Sequence, residues 1–164
     1  MTVPRALALA LLAAAPAAAD ERYLGFVLGT AHIGTDELNG VNPGLTFGRR
    51  WDAWAPGVEW HLEGGVFYNS YEEVSPIVLG GLSAEVARLR YGTLRAGLSV
   101  GTAYYSELSE VLEDDFGVPN LGGFIPLVTA SLAYRREGIE YRLTALPPGG
   151  DVDAVVNLSI AVPF

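Results

Sequence analysis

Cysteine is absent, and so is lysine; the chain's ten basic residues are all arginine. Without Cys there is no thiol nucleophile, no disulfide framework and no thiolate metal site. Only two His are present, too few for a multi-histidine metal centre, and no metal or cofactor is expected. Cations are scarce overall: 19 Asp and Glu stand against 10 Arg, for a net charge of −9. Contact with a nucleic-acid backbone needs clustered cations, so nucleic acid is not an expected partner. Long apolar runs are missing too. Beyond residue 19 nothing approaches the roughly 20 consecutive apolar residues of a spanning helix. Yet half of the 164 residues are apolar and only 18% are charged. The apolar content is therefore spread out. The 20 Gly argue against a helical bundle, where each interior Gly costs about 1 kcal/mol relative to Ala.

Residues 1–19 read as an export signal. Arg5 is the positive start, Ala6 to Ala15 the short apolar run, and Ala17-Ala18-Ala19 a small-residue cleavage site before Asp20. Residues 20–164 form the expected single domain.

That domain alternates. Ala154, Val156, Leu158, Ile160, Val162 and Phe164 share one face of a strand. The same period of two recurs from Val58 to Tyr68 and from Leu94 to Tyr104. Turn signals divide the domain into eight runs: 22–32, 43–51, 57–69, 76–87, 92–105, 122–135, 138–146 and 153–164. Runs near ten residues suit tilted strands crossing a bilayer. Open sheet edges are not tolerated in lipid, so the eight strands must close. The fold class expected is all-β: an eight-stranded antiparallel transmembrane barrel. A soluble lipocalin-like binder would instead need a polar outer face. Links 35–42, 70–75, 106–121 and 147–152 are mostly long and acidic. Links 52–56, 88–91 and 136–137 are short and lie near Arg49, Arg50, Arg88, Arg90, Arg135 and Arg136. Long outer loops and short periplasmic turns place the protein in the outer membrane of a Gram-negative bacterium, as a monomer.

With the more apolar face toward lipid, Glu59, His61, Glu63, Arg95, Glu140 and Arg142 point inward near the periplasmic end. Charges in a narrow interior must pair with one another. Above them the inward positions Gly65, Phe67, Gly97, Ser99, Gly101 and Ala103 are small or apolar. They imply a slot open to the exterior that suits an acyl chain. Gly80-Gly81 and Gly122-Gly123 fall in predicted strands, Pro126 lies within the sixth, and Pro147 ends the seventh. Proline cannot donate to a ladder, so these two prolines favour a local break that admits a lipid sideways.

His32 ends the first strand and Ser70 the third, so both reach the outer rim. A His within hydrogen-bond reach of a Ser can act as its base for acyl transfer. By simple counting His32 falls on the outward face, so a bulge or turn must bring it inward. His61, among carboxylates, reads as a structural histidine.

The stretch Asn69-Ser70-Tyr71-Glu72-Glu73-Val74-Ser75-Pro76-Ile77-Val78-Leu79-Gly80-Gly81 resembles the second outer loop of the lipid A palmitoyltransferase (PagP) family. Thr30-Ala31-His32 is similar to the family's Thr-Trp-His, and Gly48-Arg49-Arg50-Trp51-Asp52 to its first periplasmic turn. Ile125-Pro126-Leu127 and Leu146-Pro147 match the prolines flanking its lateral lipid gate. The resemblance implies a catalytic Ser70 and His32, Asn69 where the family has its acidic residue, and Gly81 at the acyl-pocket floor. It also implies phospholipid and lipopolysaccharide (lipid A) as partners. Asn69 is a departure: an amide cannot stabilise an imidazolium as a carboxylate does, which leaves Asp36, Glu37 or Glu72 to substitute. No segment before the first strand is long enough for the family's amphipathic helix. A fainter similarity, through His32, Asn39 and Asn42-Pro43-Gly44, is to outer-membrane lipid A deacylases, with the chain order wrong. The competing expectation is a non-catalytic lipid-binding or structural barrel.

Overall fold

The computed structural model describes residues 20–34, 39–70, 72–105, 122–146 and 154–164. The export segment, Asp36, Glu37, the acidic link 106–121, Pro147 and Asp151 lie outside the described residues. The strands are β1 (Asp20–Ile33), β2 (Gly44–Asp52), β3 (Val58–Tyr68), β4 (Val74–Leu89), β5 (Gly92–Tyr104), β6 (Phe124–Arg136), β7 (Ile139–Leu146) and β8 (Ala154–Pro163). Each is antiparallel to the next, and β1 closes on β8. The predicted runs become strands with ends moved by no more than two residues. β4 differs most, because Val74 still pairs with Tyr68 and Leu89 with Gly92. Pro76 is tolerated inside β4 because the β5 ladder reaches no higher than Ile77. Gly122 and Gly123 precede β6 in a turn, both with positive φ, instead of lying in the strand.

Alternation sorts the faces. Leu45, Val66, Val78, Leu98, Val100, Val128 and Leu143 are exposed on the outer wall, while Arg50, Arg95, Ser99, Thr129 and Glu140 are buried within. A water-soluble barrel has the reverse arrangement, so this is the outer-membrane type of barrel and not a soluble binder. Aromatic residues gather at the end that carries the described termini. Trp54 packs edge-on against Trp60 at 5.4 Å, and Phe47 against Phe164 at 5.9 Å. At the other end Tyr104 meets Phe124 at 5.2 Å. Such girdles mark the two water interfaces of a spanning barrel.

The lower interior is ionic. Glu140 accepts hydrogen bonds from Arg50 (2.9 Å), Arg135 (2.7 Å) and Arg142 (2.8 Å). Arg142 also donates to Glu63 at 2.9 Å, and Arg135 to Glu59 at 2.9 Å. Arg95 lies 3.3 Å from Glu59. The inward charges expected from alternation therefore do pair. Arg50 and Arg135, expected only near turns, join them, because each stands one or two residues inside its strand end. Tyr23 completes the layer: fully buried, it donates to Glu63 at 2.8 Å. Its ring lies over Gly48, where a Cβ would collide with the ring and the hydroxyl. Gly48→Val should displace Tyr23 and lower unfolding stability by about 1–3 kcal/mol, the usual cost of overpacking. Urea unfolding of the refolded barrel checks this, and an unchanged midpoint would refute it.

Candidate functional site

The rim pair is built by an interruption in β1. From its start, Tyr23, Gly25 and Val27 face inward. Val27 pairs with Ser159, but Gly29 pairs with Leu158, so Leu28 has no counterpart on β8. One extra residue reverses the alternation beyond it. Thr30 then pairs with Asn157, whose Nδ2 donates to the Thr30 hydroxyl at 3.1 Å. Ala31 and Ile33 are exposed, and His32 between them is half-buried. Counting alone put His32 outside; the bulge at Leu28 turns it in. Deleting Leu28 should restore strict alternation and expel the imidazole. We expect a barrel that still folds by heat-modifiable gel mobility while the His32 ring loses its hydrogen bond by nitrogen NMR. Retention of that bond would contradict the parity argument.

Ser70 follows β3 in a tight loop. The Asn69 N–H donates to the Glu73 carbonyl at 2.8 Å, and the Glu72 N–H to the Asn69 carbonyl at 3.1 Å. Asn69 is fully buried, and both ends of its amide are engaged in the loop. Its Oδ1 accepts from the Glu73 N–H at 3.0 Å, and its Nδ2 donates to the Ser75 hydroxyl at 2.9 Å. Glu72 takes a left-handed φ of 64° to close the turn. This frame holds Ser70 Oγ 2.8 Å from His32 Nε2, across 38 positions of sequence. With the ring proton on Nδ1, Nε2 accepts from the hydroxyl, which is the arrangement a base requires. Among the described residues no carboxylate bonds His32.

A strap that sequence reasoning missed braces the pair. The Thr30 N–H donates to the Gly40 carbonyl at 2.9 Å, the Tyr68 N–H to the Pro43 carbonyl at 2.8 Å, and Asn42 Nδ2 to the Tyr68 carbonyl at 3.1 Å. Asn42 is buried, and Asn39 accepts from the Val41 N–H at 2.8 Å. The segment from Gly40 through the Asn-Pro step that resembled a deacylase motif thus ties β1 to the end of β3. Asn-Pro as a turn signal was the available clue.

Gly65, Phe67, Gly97 and Gly101 face inward, as pairing with Thr46, Gly44, Ser83 and Leu79 requires. The glycines do not simply leave room, however. A Cβ at Gly65 would strike the Leu45 carbonyl and lie 2.6 Å from Thr46 Cα. At Gly101 it would strike the Val78 carbonyl and lie 2.9 Å from Leu79 Cα. At Gly97 it would meet Ser131 Oγ at 2.7 Å. In so narrow a barrel these positions seat neighbouring strands. Gly81 lies level with the His61–Ser99 hydrogen bond (2.9 Å), with His61 Cε1 only 2.9 Å from where a Cβ would stand. It therefore marks the boundary above the ionic layer. Phe67, Ile77, Leu79 and Leu127 face inward and are half-buried, whereas Ala103 and Ile125 at the same end are buried. A cavity of about 40 Å³ lies within the ionic layer, lined by Glu59, Glu63, Arg95, Glu140 and Arg142, with Ser99 at its upper side. Gly65, Phe67, Gly101 and Ala103 do not line it, so this free volume is polar and lies below the expected apolar slot.

Pro126 faces outward beside Thr102, whose hydroxyl donates to the Ile125 carbonyl at 2.8 Å. On the other side, rungs between β6 and β7 run from Ala130↔Ala145 to Arg136↔Ile139. Above them, Phe124 to Thr129 have no β7 partner among the described residues. Pro147, expected at the same gap, lies outside those residues.

No family model matches this chain, and no curated protein matches it. Among solved structures it is similar to Ail, the attachment invasion locus protein of Yersinia pestis. The identity is 13% and the TM-score 0.46, over 88% of this chain and 95% of that one.

Proposed function

We propose that this protein is an outer-membrane acyltransferase of the lipid A palmitoyltransferase type, moving a fatty acyl chain from a phospholipid to lipid A. The observation that supports it is the 2.8 Å contact between Ser70 Oγ and His32 Nε2. A random rim contact would need neither a bulge to turn the histidine inward nor a braced loop to present the serine. In the proposed step His32 Nε2 takes the hydroxyl proton as Ser70 Oγ bonds to the ester carbonyl carbon. Collapse of the adduct expels the lysophospholipid alkoxide, which takes that proton back from His32. A lipid A hydroxyl then attacks the acyl-serine, His32 again relaying the proton, and Ser70 is regenerated. Substrate chains would reach the half-buried inward residues Phe67, Ile77 and Leu127 through the wall beside Pro126.

Asn69 favours a second reading, a non-catalytic barrel that binds lipid or serves surface structure. An amide within the loop lends His32 no negative charge, and in a Ser-His-acid triad that substitution costs orders of magnitude. The two readings separate in one assay. Purified refolded barrel is mixed with lipid A and a phospholipid carrying an isotopically labelled acyl chain. Label appearing in lipid A, with stoichiometric lysophospholipid, supports the transferase. Label remaining in phospholipid supports the non-catalytic barrel.

A further inference from the structure

The end of the barrel opposite Ser70 carries two cations on one aromatic ring. The Arg90 guanidinium carbon lies 5.0 Å from the centre of the Tyr91 ring, and that of Arg136 lies 5.6 Å from the same centre. They come from different turns, one after β4 and one at the end of β6. Arg90 has no ion pair among the described residues, and Arg136 has only the exposed Glu137 at 3.2 Å. Nearby Arg88 is different, held by Glu85 at 3.0 Å. Two like charges converge here without adequate compensation. Each gains from the face of the ring, and among the described residues only the Arg136 Nε–H is engaged, donating to Glu137 at 3.2 Å.

Above them runs an apolar strip on the outer wall. Val86, Leu89 and Leu132 are exposed on β4 and β6, and Tyr91 itself is 58% exposed. The strip ends where the cations begin. That is the layout of a phospholipid: hydrocarbon along the wall, phosphate at its edge. Guanidinium recognises a phosphodiester through parallel N–H donors in a fixed fork. A free phosphate ion has no use for the strip.

We infer that Arg90, Tyr91 and Arg136 form a binding site for the phosphate of an anionic phospholipid, whose acyl chains lie along the strip of Val86, Leu89 and Leu132. The site is separate from the Ser70–His32 rim and needs no catalysis. It rests only on the reading of the barrel as membrane-spanning.

Native mass spectrometry of the refolded full barrel with dioleoyl phosphatidylglycerol tests it. Wild type should retain one lipid more tightly than Arg90→Gln/Arg136→Gln, by about tenfold or more for the loss of two charged donors. Arg88→Gln, whose partner is Glu85, should bind like wild type. Millimolar inorganic phosphate should not displace the lipid. Equal retention by wild type and the double variant would overturn the site, as would displacement by phosphate alone. Insertion of each variant into phosphatidylcholine vesicles, read by heat-modifiable gel mobility, tests the membrane reading separately and confirms that the double variant folds.

Discussion

Replacing Ser70 by Ala, or His32 by Gln, should lower acyl transfer by about a thousandfold or more, and combining the two should cost no more than the worse single change. The residues act as one unit. Without the hydroxyl there is nothing for the imidazole to deprotonate. Without the imidazole, the hydroxyl keeps its proton at neutral pH. Gln can still hydrogen-bond Ser70 across the present 2.8 Å, so His32→Gln removes the base while keeping the contact. Steady-state rates on the labelled phospholipid check this, with gel mobility confirming a folded barrel. Singles that each cost tenfold and multiply in the double would mean that the two side chains bind substrate independently. The half-buried rim position of His32 leaves it reachable by substrate, whereas His61, hydrogen-bonded to Ser99 deeper in the interior, should be dispensable for chemistry.

The second large effect concerns stability. Glu140 is buried and receives three arginines. Glu140→Gln keeps the shape but leaves Arg50, Arg135 and Arg142 converging on a neutral group. Breaking a buried pair from one side costs about 3–5 kcal/mol, because the remaining charge stays desolvated and uncompensated. Adding Arg142→Met should recover part of the loss by removing one stranded cation. Recovery stays incomplete, since Arg142 also serves Glu63. In contrast, Glu137→Gln should change stability by less than about 1 kcal/mol, because its pair with Arg136 is exposed. Urea midpoints of the four proteins decide the matter. Similar losses for Glu140→Gln and Glu137→Gln would mean that the interior layer is solvated.

The strands were legible because period two leaves little choice. One face of β8 reads Val156, Leu158, Ile160 and Val162, and a shift of one residue would turn every one of them inward. The ionic layer was legible on β3, β5 and β7 for the same reason. Legibility failed where the backbone departs from a uniform pleat. Nothing in Val27-Leu28-Gly29 marks which residue will be extra, so the need for a bulge was visible but its place was not. The β6–β7 hairpin turns on Glu137 and Gly138, both with positive φ (53° and 83°), one residue later than the expected link. The strand thus runs on past Arg135, which takes the inward place that follows Ser131 and Ala133. Nothing in Asp20-Glu21-Arg22-Tyr23 marks Tyr23 as part of the interior layer. Its burial depends on Gly48 across the ladder, and pairing of β1 with β2 must be known first. The bracing by Asn42 likewise depends on which loop returns to β3.

Whether the hydroxyl and imidazole at the rim move an acyl chain onto lipid A can be read in the cell. Mass spectrometry of lipid A from cells with and without the gene addresses it most directly. Cells making the wild-type protein should contain a species heavier by one fatty acyl group, absent in cells making Ser70→Ala at the same level in the outer membrane. Identical spectra from all three cells, or an added acyl group that survives Ser70→Ala, would contradict it.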